Sequence, residues 1–201
     1  MAGNEAHSGT RALEKVTRQT MRKIAVETER LLLEALTPEV IRKLFSSQTR
    51  EHIMSYLGID HKGWEHYQAM FTQGMEMYRI SHCFFLLIRK QDMLPIGECG
   101  FHTWNRQHRR AELFYLLRKD EDKKQGFMSE ALPLVIRYGF EVMKLHRMEA
   151  MINKDNVPSF KLLQRNQFSF EGTRRQDYVV NGINSDSDCY TLLRPEWEAH
   201  H

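Results

Sequence analysis

The chain has 201 residues, which fits one domain with a short arm and leaves little room for two. Lys and Arg number 29 against 26 Asp and Glu, and the resulting formal charge of +3 is too small for a chain that wraps nucleic acid by charge alone. With 41% hydrophobic and 27% charged residues, wholesale disorder is excluded, and no apolar run approaches the ~20 residues of a membrane span. Residues 1–25 hold no apolar core segment, so no secretory signal is expected and a cytoplasmic protein is. Cys83, Cys99 and Cys189 are far apart and form no CxxC pair, so neither a disulfide framework nor a bound metal is expected.

Residues 1–23 are polar and weakly patterned, and read as an arm before a domain over 24–197. Leu31–Leu36 reads as the first strand. Thr37-Pro38-Glu39 reads as an N-cap with proline in the first turn, and short helices follow to about Leu57. Over 63–79, Trp64, Tyr67, Phe71, Met75 and Tyr78 recur at helical spacing. Such a stripe is ordinarily core, and in a cleft enzyme it can also wall an acceptor pocket. His82–Arg89, Ile96–Trp104 and Arg110–Arg118 read as an antiparallel meander with polar turns between. A helix then runs from Met128 to about Met143. After it come a strand at His146–Ile152, a helix at Val157–Asn166 and a strand at Phe168–Gly172. Asn181-Gly182 marks a turn before a final strand at Cys189–Leu193. This order predicts an α/β fold around one mixed, mostly antiparallel sheet flanked by helices, with a strand-helix-strand crossover inside it.

The most informative stretch runs from Leu116 to Ala131, where a strand ends, a basic loop turns and a long helix begins. A helix start offers backbone N–H groups and a partial positive charge, Gly126 permits close backbone approach, and Lys123 and Lys124 add full charges. A diphosphate suits such a place. The residues alone leave an anion site and an ordinary helix start equally open. Neither the P-loop pattern nor GxGxxG is present.

From Arg110 onward the chain resembles the GCN5-related N-acetyltransferases (GNAT), most closely the branch of ribosomal-protein alanine N-acetyltransferases. The family's Q/R-x-x-G-x-G/A loop is matched by Lys123, Lys124, Gln125, Gly126, Phe127 and Met128, with Lys for the usual Gln or Arg and Met for a small residue. Asn156-Val157-Pro158-Ser159 resembles its NxxS. Leu163 to Gly172 resembles its LxxxGFxxEG, with Gln167 for Gly. Glu29 to Leu33 resembles the branch's ERLxL, and Ala111 to Tyr115 its AExGY, with Phe114 for Gly. The likeness covers about residues 25–197.

This resemblance implies a single-domain GNAT-type fold and a cytoplasmic enzyme that moves acetyl from acetyl-CoA to a primary amine in a direct ternary complex. It places the pantetheine arm along Leu116, Leu117 and Arg118 and the diphosphate on the N–H groups of Lys124 through Ser129. Asn156 would bond the pantetheine or tie the loop, and Lys161 and Arg165 would reach the outer phosphate. Ser159 is implied as general acid toward the leaving thiolate. Asp177 and Glu112 compete as the base, with Glu98 and His102 behind them. Trp64, Tyr67, Phe71, Glu98 and Trp104 are candidates for the acceptor side. A peptide or protein N-terminus fits the branch. A polyamine or aminoglycoside acceptor is the alternative, as is a non-catalytic acyl-CoA-binding module. Arg106, His108, Arg109, Arg110, Arg174 and Arg175 raise a nucleic-acid binder, but the clusters are short and no nucleic-acid or membrane partner is expected. Either a monomer or a homodimer is compatible with this reading.

Overall fold

The computed structural model describes residues 25–74, 81–180 and 182–200. The strands are β1 (Ala25–Glu27), β2 (Leu31–Leu36), β3 (Ser81–Arg89), β4 (Leu94–Asn105), β5 (Arg110–Leu117), β6 (Arg147–Ile152), β7 (Ser169–Val180) and β8 (Ile183–Leu193). The described helices are α1 (Pro38–Ser47), α2 (Arg50–Leu57), α3 (His61–Gln73), α4 (Phe127–Glu141), α5 (Val157–Arg165) and α6 (Arg194–Glu198). The strands form one mixed sheet in the order β1-β2-β3-β4-β5-β6-β8-β7. Two compact units share the described residues, one built from 25–74 with 84–98, the other from 81–83 with 99–180 and 182–200.

In the first unit, β2 is buried along its whole length and pairs antiparallel with β1 and β3, which explains its nearly unbroken apolar run. Each helix is closed at its start by a side chain: Thr37 for α1, Thr49 for α2 and Asp60 for α3. Helix α3 ends at Gln73, earlier than the predicted residue 79, because Gly74 caps it; Met75 and Tyr78 lie outside the described residues. Two carboxylates are buried here, each with a tyrosine. Glu34 accepts from the Tyr56 hydroxyl at 3.1 Å, and Glu98 accepts from Tyr67.

Gly58 ends α2 at φ +66°, and a Cβ there would lie 2.6 Å from Pro95 Cγ and 2.9 Å from the Pro95 carbonyl oxygen. Both the backbone and the space exclude a side chain. Gly58→Ala is expected to lower stability by about 2 kcal/mol, read by chemical denaturation.

In the second unit, β5, α4 and β6 make the parallel crossover, with Glu112 opposite Glu149 in register. Helix α4 turns Phe127, Met128, Ala131, Leu132, Val135, Ile136 and Phe140 into the core. Strand β5 pairs with β6 over Arg110–Glu112 and runs on to Leu117 past that pairing. Strands β7 and β8 are much longer than the predicted Phe168–Gly172 and Cys189–Leu193. Strand β7 is exposed almost throughout and broken by register shifts at Phe170/Gly172 and Arg174/Tyr178, so it lacks the alternation that reveals a strand. Strand β1, a 3-10 turn at Asp120–Asp122 and α6, whose Trp197 stacks on Phe140 at 5.2 Å, add to the predicted elements. No described helix is long and apolar enough to cross a membrane, and the described residues gather no group of three or more potential metal ligands.

Arg147 ties β6 to β7. Its guanidinium donates to Glu171 at 2.7 and 2.5 Å and to Glu149 at 2.7 Å, and Thr191 donates to Glu171 at 2.8 Å. The Arg147 bonds hold the Glu171 carboxyl down to about 2. A carboxyl depressed in the folded state stabilises fully above its ordinary range near 4.5, and the contribution fades as pH falls toward 2. Glu171→Gln is therefore expected to be less stable than the parent at neutral pH, with the gap closing between pH 4.5 and 2. Denaturation midpoints across that range check this.

Candidate active site

A cleft of about 550 Å3 opens in the second unit where β5 runs past its pairing with β6. Tyr115, Leu116 and Leu117 of β5 form one wall. Lys123, Lys124 and Gly126 form the loop, Phe127, Met128 and Ser129 the first turn of α4, and Asn156, Pro158, Ser159, Lys161, Leu162 and Arg165 the α5 side. One end of the cleft is the start of α4. Helix α4 starts at Gly126, φ +83°, and no side chain caps it, whereas α5 is capped by Asn156 Oδ1 accepting from the Ser159 N–H at 3.2 Å. Lys124 also sits at φ +60°, so the loop backbone is folded tightly ahead of the helix. Lys123 pairs with Asp120 at 2.7 Å on the solvent side, and Arg165 reaches from α5 to Ser129 Oγ at 3.5 Å. A helix start without a side-chain cap, next to basic groups and an apolar trough, suits a diphosphate joined to an extended, largely apolar arm.

A smaller pocket of about 240 Å3 shares Tyr115, Asn156 and Ser159 with the cleft. Its remaining lining is His102, Glu112, Leu113, Phe114, Ala150, Met151, Ile152 and Tyr178. Glu112 is its carboxylate. Tyr178 donates to Glu112 Oε1 at 3.1 Å, the Thr103 hydroxyl lies 3.4 Å from Oε2, and His102 Nε2 lies 3.6 Å from Oε1. Burial, reinforced by the Glu112 charge and the hydrogen bond to it, pushes the Tyr178 hydroxyl up to about 12, so it remains a donor at neutral pH. At the junction of the two cavities the Tyr115 hydroxyl is buried without a partner at ordinary hydrogen-bond distance. Burial raises it, and the Ser159 hydroxyl facing it works in the opposite direction.

Most of the residues singled out for the cofactor meet in the cleft. Two do not line it: Gln125 turns its amide to the Glu121 carbonyl oxygen at 2.6 Å, and Arg118 follows the end of β5. Of the two candidate bases, Glu112 lines the small pocket, while Asp177 is exposed on β7 beside Tyr178 and lines neither cavity. The candidate acceptor residues fall apart. Tyr67 and Glu98 are a buried pair in the first unit. Trp64 packs at a tilt on Phe45 at 5.0 Å beneath Arg50, and Phe71 stacks on Phe45 at 5.2 Å. Trp104 carries Arg106 over its ring at 4.5 Å. Tyr178 and Thr103 carry no periodic signal, since each stands where its strand departs from regular backbone: Tyr178 at a register shift of β7 and Thr103 at φ +51° in β4.

Residues 30–169 match the family model of the Acetyltransferase (GNAT) domain. The protein is an acyltransferase. It belongs to the GNAT N-acetyltransferases, enzymes that use acetyl-CoA as co-substrate. It is 30% identical over 172 residues to the uncharacterized N-acetyltransferase YoaA of Bacillus subtilis, covering 85% of this chain and 97% of that one. Among solved structures it resembles mutant forms of the spermidine/spermine N-acetyltransferase SpeG from Vibrio cholerae, with TM-score 0.64 at 20% identity over 85% of this chain and 99% of that one. It likewise resembles the ribosomal-protein-S5-alanine acetyltransferase from Vibrio fischeri, with TM-score 0.64 at 18% identity over 87% and 99%.

Proposed function

We propose that the protein acetylates a primary amine at a peptide N-terminus, with acetyl-CoA in the larger cleft and the acceptor in the smaller pocket. The observation that carries this reading is the junction: Tyr115, Asn156 and Ser159 line both cavities, so an activated acyl group in one is within reach of a nucleophile in the other. Acetyl-CoA supplies the thioester. The loop from Lys124 to Ser129 and the start of α4 hold its diphosphate, and the β6-facing edge of β5 past Glu112, at Leu116 and Leu117, receives its amide-bearing arm as an added strand. Lys161 and Arg165 are placed for its outer phosphate. Glu112 draws the proton from the acceptor ammonium, whose ordinary pKa is about 8 at an α-amine. Ser159, with Tyr115 behind it, gives a proton to the departing sulfur and takes one back from the acceptor nitrogen, which ends as a neutral amide.

The lining of the smaller pocket favours a singly charged acceptor. It sets one carboxylate, Glu112, among Leu113, Phe114, Ala150, Met151 and Ile152. A polyamine brings several charges that need several carboxylates, whereas an N-terminal residue with a small apolar side chain brings one. Thiol release from acetyl-CoA, measured with peptide N-termini, polyamines and aminoglycosides side by side, tests the reading. Release with peptides is expected. Release with polyamines alone overturns the acceptor class, and tight cofactor binding without release from any acceptor favours an acyl-CoA-binding module.

A further inference from the structure

Seven non-glycine residues among those described hold a positive φ: Met93, Thr103, Arg109, Lys124, Lys144, Gln167 and Gln176. Thr103, at φ +51°, is the β-branched one, and its branched Cβ makes that conformation the least tolerated of the set. It lies inside β4, where an ordinary strand conformation would serve the sheet. The side chain shows what the distortion accomplishes. Thr103 Oγ1 lies 2.7 Å from His102 Nδ1 and 3.4 Å from Glu112 Oε2. The far nitrogen of the same imidazole, Nε2, lies 3.6 Å from Glu112 Oε1. Phe114 packs on the His102 ring with centroids 5.6 Å apart. The ionisable groups that face His102 here are Glu112 from β5 and, through Glu112, Tyr178 from β7.

Resting on the assignment of Glu112 as the base, we propose that Thr103 is a positioning residue that makes His102 the proton exit from Glu112. In this arrangement the single hydroxyl proton of Thr103 goes to Glu112 Oε2, 3.4 Å away. Thr103 Oγ1 then accepts from His102 Nδ1–H. That tautomer leaves the Nε2 lone pair facing Glu112, where it accepts once the carboxyl carries a proton. When Glu112 takes a proton from the acceptor ammonium, an N–H bond breaks and a carboxyl O–H forms. The carboxyl then yields that proton to Nε2, which forms imidazolium beside a restored carboxylate. The His102 side chain is 29% exposed and releases the proton to solvent. Neutral imidazole and carboxylate return for the next turnover.

Thr103→Gly separates the hydroxyl from the strain, because glycine tolerates this φ and carries no donor. A thermal midpoint equal to or above the parent is expected, with kcat lower by about tenfold, an unchanged acetyl-CoA KM, and an altered acidic limb of the kcat–pH profile. Thr103→Ser is expected to restore the parent profile to within about twofold, and His102→Gln to reproduce the Thr103→Gly loss without adding to it. A Thr103→Gly enzyme with the parent kcat and pH profile would reduce Thr103 to a structural outlier and overturn the proposal. Glu112→Gln, assayed alongside, separates the two readings: an active Glu112→Gln enzyme removes the base itself, whereas an inactive one beside a fully active Thr103→Gly enzyme removes only the exit route.

Discussion

Glu112→Gln is expected to lower kcat by about 10²- to 10⁴-fold with little change in the acetyl-CoA KM. Gln keeps the length of the side chain, so the pocket stays filled, but an amide cannot take up the ammonium proton. The pocket gives reason to choose Glu112 over Asp177. Three groups converge on the Glu112 carboxylate within 3.6 Å, Tyr178, Thr103 and His102, and it sits in the pocket that Ser159 also lines. Asp177 is exposed and lines neither cavity, so Asp177→Asn is expected to stay within a few-fold of the parent. Initial-rate kinetics on the two variants decide between them. Equal losses would make both carboxylates part of the proton path, and a loss confined to Asp177→Asn would transfer the role.

Gly126→Glu is expected to abolish acetyl-CoA binding, a loss of at least about 100-fold. Two effects add. The position holds φ +83°, which a side chain resists, and the new carboxylate would stand at the positive start of α4, where we propose the diphosphate binds. Gly126→Ala carries only the first effect and is expected to weaken binding less. Calorimetric titration with acetyl-CoA measures both, and thermal denaturation shows whether each variant is folded. Unchanged affinity in a folded Gly126→Glu protein would remove the loop from cofactor binding.

The elements legible in the sequence were those with strong period or punctuation. The buried run Leu31–Leu36, the Thr37-Pro38 start of α1 and the apolar face of α4 all carry their own signal. The long β7 did not, because an exposed strand with two register shifts shows no alternation, and Gln176 at φ +53° turns the chain where the count of two would have to hold. Most of the candidate cofactor residues line one cleft, and they are readable as an ordered set because helix starts and loops carry local chemistry. The acceptor side is not. The aromatic stripe of α3 divides into the buried Tyr67 and a surface cluster of Trp64 and Phe71 on Phe45, since spacing reveals a helical face but not what covers it. The groups that converge on Glu112 come from β4 and β7, up to 76 residues apart in the chain for His102 and Tyr178, and only the fold assembles them.

The most direct test is a crystal structure of the protein with coenzyme A. The diphosphate is expected on the backbone N–H groups between Lys124 and Ser129, the arm along Leu116 and Leu117, and the thiol at the junction lined by Tyr115 and Ser159. Coenzyme A bound anywhere else, or with its thiol turned away from Glu112, would contradict the assignment of the cleft and with it the proposed transfer.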